Sequence, residues 1–249
     1  MWQTLLAVAF WVAVWQGLAV CIGHNGLFLA TPLQTVQTLW RLLPTADFWH
    51  RVGFSALRIL TGFVLAVTVG LLLGACGARW RWFGTLVGPV MQLIRAMPVA
   101  SFVILALLWV SGKNLSVIVS FTHVLPVVYA GTVGGIADTD PALLEMAKVY
   151  RLPLGKRLRY IWLPGMFPSF CENCIAAMGM CWKSGVSAEV IGLPDHSVGD
   201  ALYRAKITIS TPEVFAWTLV IVLLSATLST LAAWALRRAK RALCGDVEG

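Results

Sequence analysis

Residues 141–164 read PALLEMAKVYRLPLGKRLRYIWLP, the longest polar and basic interruption in a chain otherwise made of apolar runs. Asp140 before Pro141 marks a helix start, because an aspartate oxygen caps free N–H groups and proline suits the first helical position. Leu143, Met146, Ala147 and Tyr150 recur at i, i+3, i+4 and i+7, which predicts one narrow apolar stripe on a short helix. Glu145 and Lys148 fall on other faces. Leu152-Pro153-Leu154-Gly155 then breaks the helix, Lys156 to Arg159 forms a second, strongly basic turn, and Pro164 opens a new apolar segment. Two readings fit such a helix: it docks in the groove of a cytoplasmic protein, or it lies on anionic lipid headgroups.

The chain around this block belongs in a bilayer. Of 249 residues, 59% are hydrophobic and 12% charged, against about 25% charged in globular domains. Mean hydropathy is +0.80. Six apolar segments are expected, at about 2–22, 54–77, 83–110, 115–135, 165–182 and 214–236, each near the roughly 20 residues that cross a hydrocarbon core. The first lacks a basic leader and a small-residue cleavage site, so it reads as a span and not as a cleaved signal. The expected organisation is a first helix with its external connection (1–50) and a core (51–249) carrying the polar block within 137–164. His24 and His50 read as loop positions of the connection. Trp40, Trp80, Trp82, Trp162 and Trp182 flank spans and read as interfacial anchors.

The net charge of +8 does not point to nucleic acid, because the basic residues cluster at the ends of apolar runs. With the N-terminus inside, eleven lysines and arginines fall in the cytoplasm: Arg79 and Arg81; Lys148, Arg151, Lys156, Arg157 and Arg159; Arg237, Arg238, Lys240 and Arg241. Seven fall outside: Arg41, Arg51, Arg58, Lys113, Lys183, Arg204 and Lys206. The excess inside predicts six spans with both termini cytoplasmic.

The block is similar to the cytoplasmic loop of ABC-importer permeases, E-A-A-x3-G-x9-I-x-L-P. Glu145, Ala147, Ile161, Leu163 and Pro164 match at the right spacing, while Met146 replaces the first alanine and Arg151 the glycine. Arginine adopts a left-handed turn at a cost that glycine avoids, so Pro153 and Gly155 are expected to supply the bend. Ser55-x-x-Arg58-x-x-x-Gly62-Phe63, Arg95-x-x-Pro98 and Trp182-Lys183-x-x-Val186-x-Ala188-Glu189 extend the resemblance over about 50–240, to the nitrate/sulfonate/taurine-type branch. The resemblance implies an all-α type I importer permease fold and a coupling helix. It also implies a second permease subunit (a homodimer), two cytoplasmic ATPase subunits and an extracytoplasmic solute-binding protein.

No G-x-x-x-x-G-K-[ST] phosphate loop occurs and no catalytic constellation is present, so the chain is expected to be no enzyme and to bind no cofactor, with ATP bound by a partner subunit. Cys171 and Cys174 form a C-x-x-C inside an apolar run without a second pair, which reads as two small residues on a helix face. Arg95, Glu172 and Asn173 are the deepest polar residues of the spans, and charges there normally face a bundle interior or a cavity. Either a solute path or gate, or a structural pair, fits Glu172 and Asn173. Arg95, about 12 residues into the third segment, also fits a residue whose long stem reaches the interface. Lys183 and Glu189 are placed just beyond the fifth segment, as an outer gate or a solvated pair. Pro98 and Pro126 are expected to kink their helices. The competing reading is an ion-gradient-driven secondary transporter, which calls for internal repeats and midplane ionisable groups; no repeat is visible.

Overall fold

A computed structural model describes the backbone of residues 2–22 and 29–244. His24 and the side chains of Lys240 and Arg241 lie outside the described residues. All regular structure among those residues is helical: α1 (Trp2–Ile22), α2 (Pro32–Leu42), α3 (Ala46–Arg79), α4 (Arg81–Ala96), α5 (Val99–Ala106), α6 (Gly112–Ala137), α7 (Pro141–Val149), α8 (Leu154–Arg157), a π-helical turn (Leu158–Trp162), α9 (Leu163–Gly192), α10 (Val198–Ile207) and α11 (Thr211–Cys244). Among them α1, α3, α6 and α11 are long and apolar enough to cross a membrane, and α4 with α5 makes a fifth candidate span, bent by 102°.

The centre of the bundle is α6, with α3 on one side and α9 on the other; α11 closes over α9. Lipid tails are as apolar as leucine side chains, so helices associate in a bilayer through close packing. The seam of α3 is built for that. Ser55, Ile59, Gly62, Ala66, Gly70 and Gly74 are all buried, at successive three- and four-residue steps. A Cβ at Gly70 would lie 2.9 Å from Val128 Cβ, and one at Gly74 would lie 2.6 Å from Thr132 Cβ. The α3 backbone packs directly on the α6 side chains there, where a side chain of its own would hold the helices apart.

Several elements depart from the sequence reading. The polar connection at 23–51 contains α2, started by a capping box in which Thr31 Oγ1 accepts from Gln34 N and the Gln34 side chain accepts from Thr31 N. The third apolar segment is two helices, because Pro98 brings no N–H and holds Met97 extended (φ −70°, ψ 130°). The fifth segment does not end at Trp182. It runs to Gly192, since Val186 and Ala188 keep facing the core; Lys183 and Glu189 therefore sit within a helix and not on a loop. Between the fifth and sixth expected segments stands a further helix, α10. Trp182 is no interfacial anchor: it is fully buried, and its Nε1–H donates to Ile221 O at 3.0 Å across the α9–α11 seam. Cys171 and Cys174 are buried side chains of α9.

The α3–α6 seam generates a test. Gly74→Leu forces a side chain into the Thr132 contact and is expected to destabilise the purified chain by about 1–3 kcal/mol, read as a lowered melting temperature in detergent. Gly88→Leu, at a helical glycine with open space around its Cβ position, is expected to show no loss.

Candidate functional site

The polar block is a rigid excursion whose two feet stand together. A Cβ at Gly135, near the end of α6, would meet Met166 Cα at 2.9 Å, and one at Gly165 would meet Thr139 Oγ1 at 3.2 Å. The chain therefore leaves and re-enters the bundle at nearly one point. Asp140 caps α7, its Oδ1 accepting from Ala142 N at 2.9 Å. At the other end Arg151 N–H donates to Lys148 O (3.1 Å) and Leu152 N–H to Ala147 O (3.0 Å). These two bonds define a Schellman stop, which requires a left-handed residue at Arg151. Arg151 supplies it, with φ 49°.

This corrects the expectation for the bend. Gly155 lies in the first turn of α8 and Pro153 is that helix's N-cap, while Arg151 itself takes the left-handed turn. The strain is of order 1 kcal/mol for a residue with a Cβ. A side-chain staple accompanies it: Arg157 Nη2 donates to Ala147 O at 3.0 Å. The apolar stripe divides accordingly. Ala147 is fully buried, whereas Leu143, Met146 and Tyr150 are exposed at 42%, 43% and 73%. Glu145 is exposed beside them. Of the terminal motif residues, Ile161 is buried in the π-helical turn, and Leu163 and Pro164 open α9 half-buried.

The six residues expected along a path or gate are not brought together. Arg95 at the end of α4, Pro98 at the α4–α5 break, and Glu172 and Lys183 on α9 are all exposed. Asn173 is half-buried, with its Nδ2 donating to Ser169 O at 2.8 Å. Glu189 alone is fully buried. Among the described residues, no hydrogen bond or ion pair joins it to the other five.

Glu189 instead belongs to a polar clamp that holds α10 onto α3 and α9. Its Oε2 accepts from Ser55 Oγ at 2.6 Å and from Gly199 N at 3.3 Å. Ser55 Oγ accepts from Val198 N (2.9 Å), and Ser197 Oγ accepts from Asp200 N (3.0 Å). The first three N–H groups of α10 have no helical partner of their own, and these three side chains satisfy them. A carboxylate also suits the positive end of a helix dipole. In the same first turn, buried Asp200 bridges Arg51 of α3 (3.0 Å) and Arg204 of α10 (2.8 Å), and Arg51 also binds Asp47 at 2.6 Å. The Arg58 guanidinium lies 4.1 Å from the centre of the Phe54 ring.

The family of binding-protein-dependent transport system inner membrane components matches residues 52–243, a stretch that holds the block and nearly all of the clamp. The chain belongs to this family. It is a multi-pass inner-membrane permease of the ABC type, in the nitrate/sulfonate/taurine-like branch. The permease is 28% identical over 218 residues to SsuC of Escherichia coli, a protein named for aliphatic sulfonates transport, covering 84% of this chain and 82% of that one. It is 23% identical over 245 residues to the nitrate import permease protein NrtB of Synechococcus elongatus, covering 92% and 86%. Its fold is shared with the crystal structure of an amino acid ABC transporter with histidines, at TM-score 0.50 and 21% identity, over 78% of this chain and 99% of that one.

In the permease, Ser55, Arg58 and Glu189 were legible as motif residues, but Asp47, Arg51, Ser197 and Asp200 were not. Ser55 and Glu189 stand 134 residues apart, and Arg51 and Asp200 stand 149 apart. The one local signal was the start of α10, where Ser197 precedes Asp200 by three residues and marks a helix cap.

Two substitutions test this geometry. Glu189→Ala leaves the Ser55 hydroxyl and the Gly199 N–H buried and unpaired, with an expected cost of roughly 2 kcal/mol or more, read as a lowered melting temperature and faster protease cleavage at 193–197. Arg151→Gly relieves the left-handed residue and is expected to stabilise by about 1 kcal/mol. An unchanged or lowered melting temperature would show that the Arg151 side chain contributes more than its backbone costs.

Proposed function

We propose that this permease is the membrane subunit of an importer that moves a small polar or anionic solute, nitrate-, sulfonate- or taurine-like, or a vitamin precursor. An external binding protein delivers the solute, and a separate pair of cytoplasmic ATPases drives the cycle. The observation that carries this reading is the exposed stripe of Leu143, Met146 and Tyr150 on a helix capped at both ends and stapled by Arg157. An apolar stripe beside a charge, on an element that cannot flex freely, suits a helix-in-groove joint. A joint of this kind passes on rigid-body motion.

In this reading α1, α3, the broken pair α4–α5, α6, α9 and α11 are six spans with both termini in the cytoplasm. The helix α9 crosses although it is less apolar than the others, since neighbouring helices cover most of it and its polar side chains avoid lipid. Two copies of the chain enclose the path. Closure of the ATPase pair on ATP moves α7 of each copy, and the copies turn from inward- to outward-facing. The receptor then releases its solute, and hydrolysis resets the inward state. Arg95, Glu172, Asn173 and Lys183 are assigned to the wall of the path, because exposed charges on membrane helices are far cheaper facing water than lipid.

The joint is tested by co-purification. Leu143→Asp with Tyr150→Asp, and separately Glu145→Lys, are expected to weaken ATPase association by about 30-fold or more, the loss typical of removing a buried anchor, while the chain still inserts in the membrane. An ATPase recovered in equal copies with both of these variants would place the joint elsewhere.

A further inference from the structure

A cleft of about 690 Å³ lies on the seam between α9 and α11, lined by Ile175, Ser229, Thr230, Trp234, Arg237 and Arg238 among others. Its position along the bundle is set by two contacts. Ser229 Oγ lies 3.3 Å from the Cβ position of Gly179, and Leu236 O lies 4.0 Å from Cys171 Sγ. The helices run antiparallel, so the arginines stand at the end of the seam that carries the 141–164 block. They also stand at the end of the apolar stretch Thr211–Ala239 of α11, the depth at which a bilayer changes from hydrocarbon to headgroup.

The chemistry of the lining has two halves. Arg237 and Arg238 have no carboxylate within ion-pair distance among the described residues. The Ser229 hydroxyl stands about two turns deeper, and the Thr230 hydroxyl donates to Ala226 O at 2.8 Å within α11. The Arg238 guanidinium lies over the Trp234 ring, 5.4 Å from its centre, which orients one of the two cations. Two guanidiniums, with the Ser229 hydroxyl beneath them, make a donor set for phosphate oxygens, and planar forked donors match that group better than ammonium does. The other half is apolar. Ile175 lines the cleft, and Leu231 and Trp234 of α11 are each 61% exposed, so the surface leading from the cleft toward the middle of the membrane accepts a hydrocarbon chain.

We infer that this cleft binds the phosphate headgroup of an anionic phospholipid, with an acyl chain lying along α11. Basic pockets between membrane helices take such headgroups, and this one combines paired arginines at headgroup depth with the Ser229 hydroxyl and an adjoining apolar track. A free solute would use the donors and leave the exposed Leu231 and Trp234 surface unmatched. The inference stands apart from the import reading, because lipid retention is measured on the chain whether or not an ATPase accompanies it.

The test is native mass spectrometry of the full chain, with whatever subunits co-purify, released from nanodiscs of phosphatidylcholine containing a minor fraction of phosphatidylglycerol. The chain is expected to retain phosphatidylglycerol in preference to phosphatidylcholine. Arg237→Gln with Arg238→Gln is expected to weaken retention by about 25-fold, about five-fold per arginine. Ala233→Trp, which fills the cleft and leaves its charge intact, is expected to give a comparable loss. Arg79→Gln with Arg81→Gln, the same charge change elsewhere, is expected to leave retention unaltered. Equal retention by the Arg237/Arg238 variant would overturn the inference. So would a loss in that variant without one in Ala233→Trp, which would assign the effect to general surface charge. Displacement of the lipid by excess inorganic phosphate, with phosphate bound in its place, would make this a free-anion site and sink the lipid assignment.

Discussion

Close approach of backbones along α3 and α6 is the constraint from which the rest of this permease follows. In a bilayer no hydrophobic gain rewards helix association, and what remains is packing density and hydrogen bonding. Gly62, Ala66, Gly70 and Gly74 let the α3 backbone lie directly on α6, with the Val128 and Thr132 side chains packed where a Cβ of Gly70 and Gly74 would stand. The same device recurs on the far side of α6, where a Cβ at Gly131 would lie 2.8 Å from Asn173 Cβ of α9. With α6 held tightly on both sides, α9 becomes a fixed rod in the bundle and not a peripheral span. Its 30 residues extend about 45 Å.

That rod joins the two polar regions of the molecule. Its first residues follow directly from the 141–164 block, and its last two turns carry Glu189 into the clamp on α10. Each region solves the same problem, the unpaired backbone groups of helix ends, by different means. At the clamp, Ser55, Glu189 and Ser197 satisfy the N–H groups of α10 from three elements. At the block, Asp140 and a left-handed Arg151 cap α7 locally, and Arg157 adds a bond to the same Ala147 carbonyl that Leu152 uses. Local caps leave α7 free to present its outer face, while the clamp binds α10 inward.

The legible part of this architecture was the part written in local pattern. The i, i+3, i+7 spacing of Leu143, Met146 and Tyr150 and the cap at Asp140 gave α7 within a residue of its bounds. Long apolar runs placed α1, α3, α6 and α11. The errors were also physical. Lys183 and Glu189 looked like a helix end because charge normally stops a span, but Val186 and Ala188 carried the packing face through them. Trp182 looked interfacial because it flanks an expected span, yet α11 offered its indole a carbonyl at Ile221. Arg151 looked a costly residue for a left-handed turn, so the bend was expected at Pro153 and Gly155, yet the two Schellman bonds hold Arg151 there.

By itself, then, the sequence determined composition-level and local facts: a helical membrane chain, the existence of its apolar segments, and a short capped helix in a basic block. Such features depend on periodicity and on residues within a few positions of each other, so they can be read in one dimension. Tertiary structure alone decided which face of each helix is covered, that Glu189 is buried against Ser55, that Asp200 ties Arg51 to Arg204, and that two arginines of α11 meet α9 at a cleft. Those outcomes rest on partners 134 and 149 residues apart, or on the space left between helices, and a chain has neither until its backbones have packed.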